Sequence, residues 1–156
     1  MSRIDSRLAE LGIVLPTPAA PIANYVPCVM SGRFLVTSGQ LCLGPDGKLD
    51  DAHKGKLGGE ISLETGQQAA RLCAINLLAQ AKAALGDLDR ITRVVRLGGF
   101  INSTPTYGSV PGVMNGASDL MVEVFGDLGR HARSTVGVAQ LPLDAAVEVE
   151  ALFEVA

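Results

Sequence analysis

The last strand-like segment of the chain, VEVEALFEV at residues 147–155, places apolar and acidic side chains on opposite faces. In an extended strand one face carries Val147, Val149, Ala151 and Phe153, and the other carries Glu148, Glu150 and Glu154. This alternation is typical of a strand that buries one face and leaves the other face polar. The chain must therefore supply a covering layer, which favours helices packed on a sheet.

A second alternating segment, RSTVGV, begins at Arg133 and is separated from this strand by a Leu-Pro turn. We predict that the two segments form a hairpin, with Thr135 about opposite Glu148 and Arg133 about opposite Glu150. A guanidinium, a hydroxyl and carboxylates would then share one face. The residues alone leave two interpretations open. One is a solvated face whose charge pairs contribute ~0–1 kcal/mol each, and the other is a site where Arg133 binds a carboxylate and Glu148 holds a water or proton.

The rest of the chain alternates between helical and strand patterns. The clearest helix has Ser62 as its N-cap and Gly86 as its stop. We predict one domain over residues 1–156, in which an N-terminal helix and connector occupy residues 1–21. The predicted class is α+β, a mixed sheet with two helices packed on one face and a short N-terminal helix. The predicted elements are a helix at 2–11, two strands within 26–43, a helix at 62–85, a strand at 90–102, a helix from about 111 to 125, and the two C-terminal strands.

Composition and charge argue against two classes of partner. The net charge is −3, the isoelectric point is near 5.3, and no run of five like charges occurs, so neither a nucleic-acid patch nor a polybasic membrane anchor is expected. The chain has no Trp, and single-strand nucleic-acid binders stack bases on aromatic rings. No leader pattern or apolar run of ~20 residues is visible, so we expect a cytoplasmic protein without a membrane partner.

The cysteine pattern indicates neither a metal site nor a redox motif. Cys28, Cys42 and Cys73 are odd in number, lie far apart and lack the CxxC spacing, so we predict three reduced thiols. His131 follows a Gly-Arg pair and is predicted to lie in a surface turn rather than to act in catalysis.

Several motifs together resemble the RidA/YjgF family. The segment RSTVGVAQLPLDAAVEVEA is similar to the family's C-terminal signature, which has an arginine, an alternating valine strand, a Leu-Pro turn and a V-E-V-E strand. Earlier motifs occur in the same order: A-N-Y ending at Tyr25, TSGQ ending at Gln40, the long alanine-rich helix, and Met114-Asn115 in the second helix. The resemblance spans roughly residues 22–155. It implies a chorismate-mutase-like fold and a homotrimer with ligand clefts between neighbouring subunits, without metal or cofactor.

The resemblance also implies roles for particular residues. Arg133 would bind the substrate carboxylate, and Glu148 would position the attacking water. Gly39 would offer a backbone contact without an intervening side chain. Tyr25 would form a wall of the cleft, and Asn115 would add a polar contact from its edge.

Four features depart from the imine-deaminating members of the family. Thr135 stands where those members carry a cysteine, and the resemblance implies that this position also lines the substrate. The chain reads A-N-Y where those members read G-P-Y. The N-terminal helix and the longer stretch GGFINSTPTYGSVPGVMNGAS resemble the longer branch of the family, which is often labelled putative endoribonuclease.

The leading hypothesis is a cofactor-free hydrolase of the imine or enamine deaminase type, which converts small imino acids to 2-oxo acids and ammonia. A fixed carboxylate clamp and an oriented water could suffice, because an imine is already electrophilic. Two alternatives stay open. One is a non-catalytic trimer that binds a small carboxylate metabolite at Arg133, and the other is the endoribonuclease of the family label. The acidic chain offers little support for the latter, because phosphate contacts need clustered Lys or Arg.

Overall fold

The fold is a six-stranded mixed sheet with helices packed on one face. The computed structural model describes residues 1–156. This architecture confirms the predicted α+β class and the predicted helices. In chain order the elements are α1 (Arg3–Glu10), β1 (Cys28–Ser31), β2 (Phe34–Thr37), β3 (Gln40–Leu41), α2 (Leu63–Leu85), β4 (Ile91–Asn102), α3 (Val110–Phe125), β5 (Ala132–Val138) and β6 (Val147–Val155).

The strands follow the order β1-β2-β6-β4-β5, and β3 pairs with β6 beyond the end of β2. All neighbouring strands are antiparallel except β4 and β5, which are parallel. A parallel pair needs a long crossover, and here α3 supplies it between β4 and β5. The crossover places α3 directly against the edge strand that carries Arg133.

The predicted hairpin between the two C-terminal strands is wrong. The parallel pairing places Arg133 beside Leu97, and β4 lies between β5 and β6. Glu150 pairs with Gly98 instead, and Thr135 pairs with Gly99. The connection 139–146 therefore carries the chain past β4 rather than folding it back on β5. In this order β4 has a strand partner on each side, so its backbone N–H and C=O groups can be hydrogen-bonded in both directions.

The alternation in β6 is confirmed. Every second residue from Val147 to Val155 is buried beneath α2, whereas Glu148, Glu150 and Glu154, together with Leu152, are only half-buried on the opposite side. We call this opposite side, away from α2 and α3, the open face of the sheet. Paired residues share a face, so Phe100 of β4 and Val136 of β5 also lie on the open face.

Local sequence sets the ends of the helices. The Ser62 hydroxyl accepts a hydrogen bond from the Thr65 backbone N–H, and Gly86 ends α2 with a φ of 78°. In α1, Ser2 is the N-cap, and the Asp89 carboxylate accepts from the backbone N–H groups of Arg3 and Ile4. The N-terminal helix is thus fixed to the main body rather than appended to it.

Glycines allow α3 to approach both the sheet and α2. A Cβ atom at Gly99 would collide with the Met114 side chain of α3. A Cβ atom at Gly116 would collide with the Gln67 backbone carbonyl of α2. Both positions need the smallest residue because neighbouring groups occupy the space of a side chain. This close packing determines how near α3 lies to β5.

The three cysteines are free, as predicted. Cys42 and Cys73 are buried in the core, and Cys73 Sγ lies 3.3 Å from the Val147 carbonyl oxygen. None of the helices is long and apolar enough to cross a membrane.

Candidate active site in two halves

The Arg133 side chain is held by α3. Its Nη1 atom donates to Asn115 Oδ1 at 2.9 Å and to Ser118 Oγ at 3.1 Å. Its Nη2 atom donates to the Pro111 carbonyl oxygen at 3.2 Å. The three acceptors lie on consecutive turns of one helix, so they fix the plane of the guanidinium relative to α3.

These contacts leave one edge of the Arg133 guanidinium unpaired. A guanidinium has five N–H donors, and the three bonds to α3 use both Nη1 donors and one Nη2 donor. The Nε–H and the other Nη2–H have no protein acceptor. In a planar guanidinium the Nε–H and an Nη2–H lie along one edge, and such an edge binds a carboxylate through two parallel hydrogen bonds.

Thr135 lies on the same face of β5 as Arg133. It pairs with Gly99, over which Met114 packs. Its hydroxyl oxygen is buried and has no hydrogen-bond partner within the chain. A buried hydroxyl without a partner is costly, by roughly 1–3 kcal/mol, so a group supplied from outside the chain would be favoured here.

The second group of predicted site residues surrounds Glu148. A Cβ atom at Gly39 would collide with the Glu148 carboxylate, so the TSGQ backbone lies directly against this side chain. The pairing with β6 explains the close approach. Val36 pairs with Leu152 and Gln40 pairs with Val149, so the TSG segment contains one extra residue. Such a bulge bends the strand and re-aims its side chains and backbone.

Thr37 closes the gap in pairing that the bulge leaves. Its hydroxyl donates to the Ala151 carbonyl at 3.2 Å and accepts from the Ala151 N–H at 2.8 Å. The side chain replaces the missing backbone partner of β6, because both groups would otherwise be buried and unpaired. The TSG segment is therefore held in place against Glu148.

Glu148 has a perturbed pKa. Burial raises the pKa of the Glu148 carboxyl above its usual range, and the negative charge of Glu150 raises it further. Glu150 itself pairs with Arg96, with 3.7 Å between Nη1 and Oε1. A carboxylate with a raised pKa is a better proton acceptor, which is the property that a general base needs.

Tyr25 lines a small cleft next to this second group. The cleft has a volume of about 130 Å³ and includes Tyr25, Gly39, Gln40 and Gln80 among its walls. The Tyr25 side chain is 55% exposed, so the chain alone leaves much of its ring uncovered. Tyr25 and Gly39 therefore belong with Glu148 and not with Arg133.

The chain does not bring the two groups together. Arg133 pairs with Leu97 and Glu148 with Phe100, which are three residues or about 10 Å apart along β4. The two strands are a further two strand spacings apart, again about 10 Å. Their side chains also point to opposite faces, because Arg133 contacts α3 and Glu148 lies on the open face. The prediction that the charges share one face is therefore wrong for a single chain.

Sequence reasoning missed two residues near Arg133. Ser118 lies one helical turn after Asn115, and this i,i+3 spacing could have identified it as a second contact. His131 was predicted to lie in a surface turn, but its Nε2 atom lies 2.9 Å from Ser118 Oγ. That contact depends on the crossover between β4 and β5, which no local pattern in the sequence indicates.

Comparisons with known proteins agree with this fold. The family model described as YjgF/chorismate mutase-like, putative endoribonuclease matches residues 5–155. Protein TCP17 of Trypanosoma cruzi is 52% identical over 97% of this chain and 94% of its own length.

Two solved structures are similar over nearly the whole chain. Atu1372 from Agrobacterium tumefaciens, described as a protein of unknown function, is 47% identical with a TM-score of 0.90, over 98% of this chain and 92% of its own. A putative endoribonuclease from Shewanella oneidensis MR-1 is 37% identical with a TM-score of 0.93, over 99% and 100% of the two chains. The chain therefore belongs to the YjgF/chorismate mutase-like family, the RidA/YjgF family that its motifs had indicated.

Proposed function

We propose that this protein is a homotrimeric, cofactor-free hydrolase that converts small imino or enamino acids to 2-oxo acids and ammonia. The observation that carries the proposal is the unpaired edge of Arg133, held in place by three acceptors of α3. This edge matches a carboxylate, and the substrate and the product of the reaction both carry one.

The second half of the proposal is the role of Glu148. Its carboxylate accepts a proton from water while the water oxygen attacks the imine carbon, and Glu148 then passes this proton to the former imine nitrogen. The resulting carbinolamine expels ammonia and leaves a 2-oxo acid. Glu148 fits this role because its pKa is raised and because the Gly39 backbone lies directly beside it.

A single chain holds Arg133 and Glu148 on opposite faces, so we propose that the site forms between two subunits. Arg133, Asn115 and Thr135 would come from one subunit, and Glu148, Gly39 and Tyr25 from the next. The unpartnered Thr135 hydroxyl and the half-exposed Tyr25 ring support such a junction.

The open face of the sheet supports an assembly through its apolar surface. Val29, Val36 and Val136 on this face are 51%, 44% and 49% exposed in the single chain. Monomeric proteins rarely leave a group of large apolar side chains uncovered on one face. A closed trimer would bury these side chains while keeping identical contacts in every subunit.

The first prediction tests the carboxylate clamp. Arg133→Lys keeps the charge but lacks the planar fork, so we expect affinity for pyruvate, a small 2-oxo acid, to fall about 10- to 100-fold, corresponding to roughly 1.5–3 kcal/mol. Isothermal titration of wild type and variant measures this change. Glu148→Gln should bind pyruvate normally but slow hydrolysis by ~100-fold or more, because an amide is not a base.

Arg7→Lys is the matched control for this prediction, because Arg7 is a half-exposed arginine on α1 in an ion pair with Glu10. Turnover is measured by coupling the protein to a dehydratase that releases 2-aminoacrylate and following 2-oxo acid formation. Equal pyruvate affinity in wild type and Arg133→Lys would contradict the clamp. Pyruvate binding without turnover would instead support the carboxylate-binding alternative.

The second prediction concerns the pH profile. The base must be ionised, so the rate of hydrolysis should rise with pH through the pKa of Glu148, and this rise should lie above the usual range of a glutamate. Glu150→Gln removes the like charge that helps to raise the pKa of Glu148, so this pKa should fall in the variant. The rise should therefore move to lower pH in Glu150→Gln. Glu154→Gln, on the same strand and face, should leave it in place, and a common profile for all three proteins would exclude Glu148 as the base.

The third prediction concerns assembly. Light scattering should give three times the 16.2 kDa chain mass. Val136→Asp should dissociate the assembly, because a charge on the buried open face would lose its hydration. Val14→Asp is the control, since Val14 is 86% exposed on the N-terminal connector, and it should stay trimeric. A monomer mass for the wild type at micromolar concentration would contradict the proposal.

A further inference from the structure

Ser118 and His131 are hydrogen-bonded to each other beside Arg133. Ser118 Oγ lies 2.9 Å from His131 Nε2, and His131 Nδ1 lies 2.6 Å from the Gly129 carbonyl oxygen. A carbonyl oxygen can only accept, so Nδ1 carries the hydrogen. In the neutral imidazole Nε2 is then an acceptor, and the Ser118 hydroxyl donates to it.

This arrangement is the one that activates a serine. The nucleophile and its base are within hydrogen-bond distance, and a third group, the Gly129 carbonyl, holds the base in the required tautomer. Arg133 Nη1 also donates to Ser118 Oγ at 3.1 Å, so a positive charge lies next to the oxygen that would lose its proton. A neighbouring positive charge favours the ionised form of such an oxygen.

The pair faces an open pocket of about 310 Å³. Ser118 and His131 are both only half-buried, and both line this pocket. Arg130 at its edge already pairs with Asp127, with 3.3 Å between Nε and Oδ1, so Arg133 is the pocket cation without a carboxylate partner. The lining of the pocket is Ser118, Asp119, Val122, Arg130, His131 and Arg133.

We propose that Ser118 is an acyl-accepting nucleophile with His131 as its general base, at a second site that does not use Glu148. Ser118 Oγ attacks the carbonyl carbon of an ester while its proton passes to His131 Nε2. The tetrahedral intermediate collapses, the ester C–O bond breaks, and the leaving alcohol takes the proton from His131. Water then hydrolyses the acyl-serine, again with His131 as base.

The charge of the pocket indicates the substrate class. Arg133 attracts an anionic group because it has no carboxylate partner, and the single apolar side chain in the lining, Val122, offers little surface to a long alkyl chain. The substrates are therefore small esters or activated acyl groups that carry a negative charge.

The test uses the full-length protein with 4-nitrophenyl acetate and with the anionic 4-nitrophenyl hydrogen succinate. Rapid mixing should give a burst of about one nitrophenolate per chain, the fingerprint of an acyl-enzyme. Mass spectrometry of the quenched protein should locate the acyl group on Ser118. The succinate ester should acylate faster than the acetate ester.

Variants separate a nucleophile from a serine that only supports Arg133. Ser118→Ala should abolish the burst, and His131→Gln should slow it by ~100-fold, the typical contribution of a general base. Ser6→Ala on α1 is the control and should keep the wild-type burst. Thermal unfolding checks that each variant is folded. If Ser118→Ala does not fold, peptide mapping of the acylated wild-type protein decides whether the acyl group is on Ser118.

Three results would overturn the proposal. They are the absence of acylation at Ser118 in the wild type, an unchanged burst rate in His131→Gln, and equal rates for the two esters, the last of which would reject the anionic substrate class. None of these measurements uses an imine, so they are independent of the deaminase proposal.

Discussion

The position of β4 between β5 and β6 determines what the rest of the structure can do. Because β4 is the shared partner, Arg133 on β5 and Glu148 on β6 are separated by two strand spacings and lie on opposite faces. One chain can therefore orient each group but cannot place both on one substrate. A site that uses both groups requires a second subunit, so the activity of such a site would depend on assembly.

Each half of the candidate site depends on a glycine that permits a close approach. Gly99 lets Met114 pack on the sheet, and this brings α3 near enough for Asn115 and Ser118 to hold Arg133. Gly39, in the bulge after β2, lets the backbone lie against the Glu148 carboxylate. The packing that stabilises the fold thus also positions the polar groups.

The sequence predicted features that depend on local patterns. The alternation of β6 gave its buried and open faces, and the caps at Ser62 and Gly86 gave the bounds of α2, because both signals lie within one element. Strand order is not local, and the Leu-Pro turn was mistaken for the turn of a hairpin. Leu143 and Asp144 in that connection have positive φ values of 59° and 58°, a conformation that the residue types do not announce.

The same distinction applies to the candidate site. Family resemblance implied a polar contact from Asn115 at the edge of the ligand cleft, and in the structure Asn115 Oδ1 accepts a hydrogen bond from Arg133. The separation of Arg133 from Glu148 follows from strand order, so no spacing in the sequence could reveal it. The pair of Ser118 and His131 was also not predicted, because it depends on how the turn between α3 and β5 returns the chain to α3.

Subunit mixing tests most directly whether the two halves come from different subunits. Arg133→Lys and Glu148→Gln trimers are each expected to be strongly impaired at a substrate concentration below the wild-type KM, and they are mixed in equal amounts, unfolded and refolded together. Random assembly leaves an intact Arg133 facing an intact Glu148 at about a quarter of the junctions, so about a quarter of the wild-type deaminase activity should return. Hybrid trimers that form but remain as inactive as the two parents would contradict a site shared between subunits.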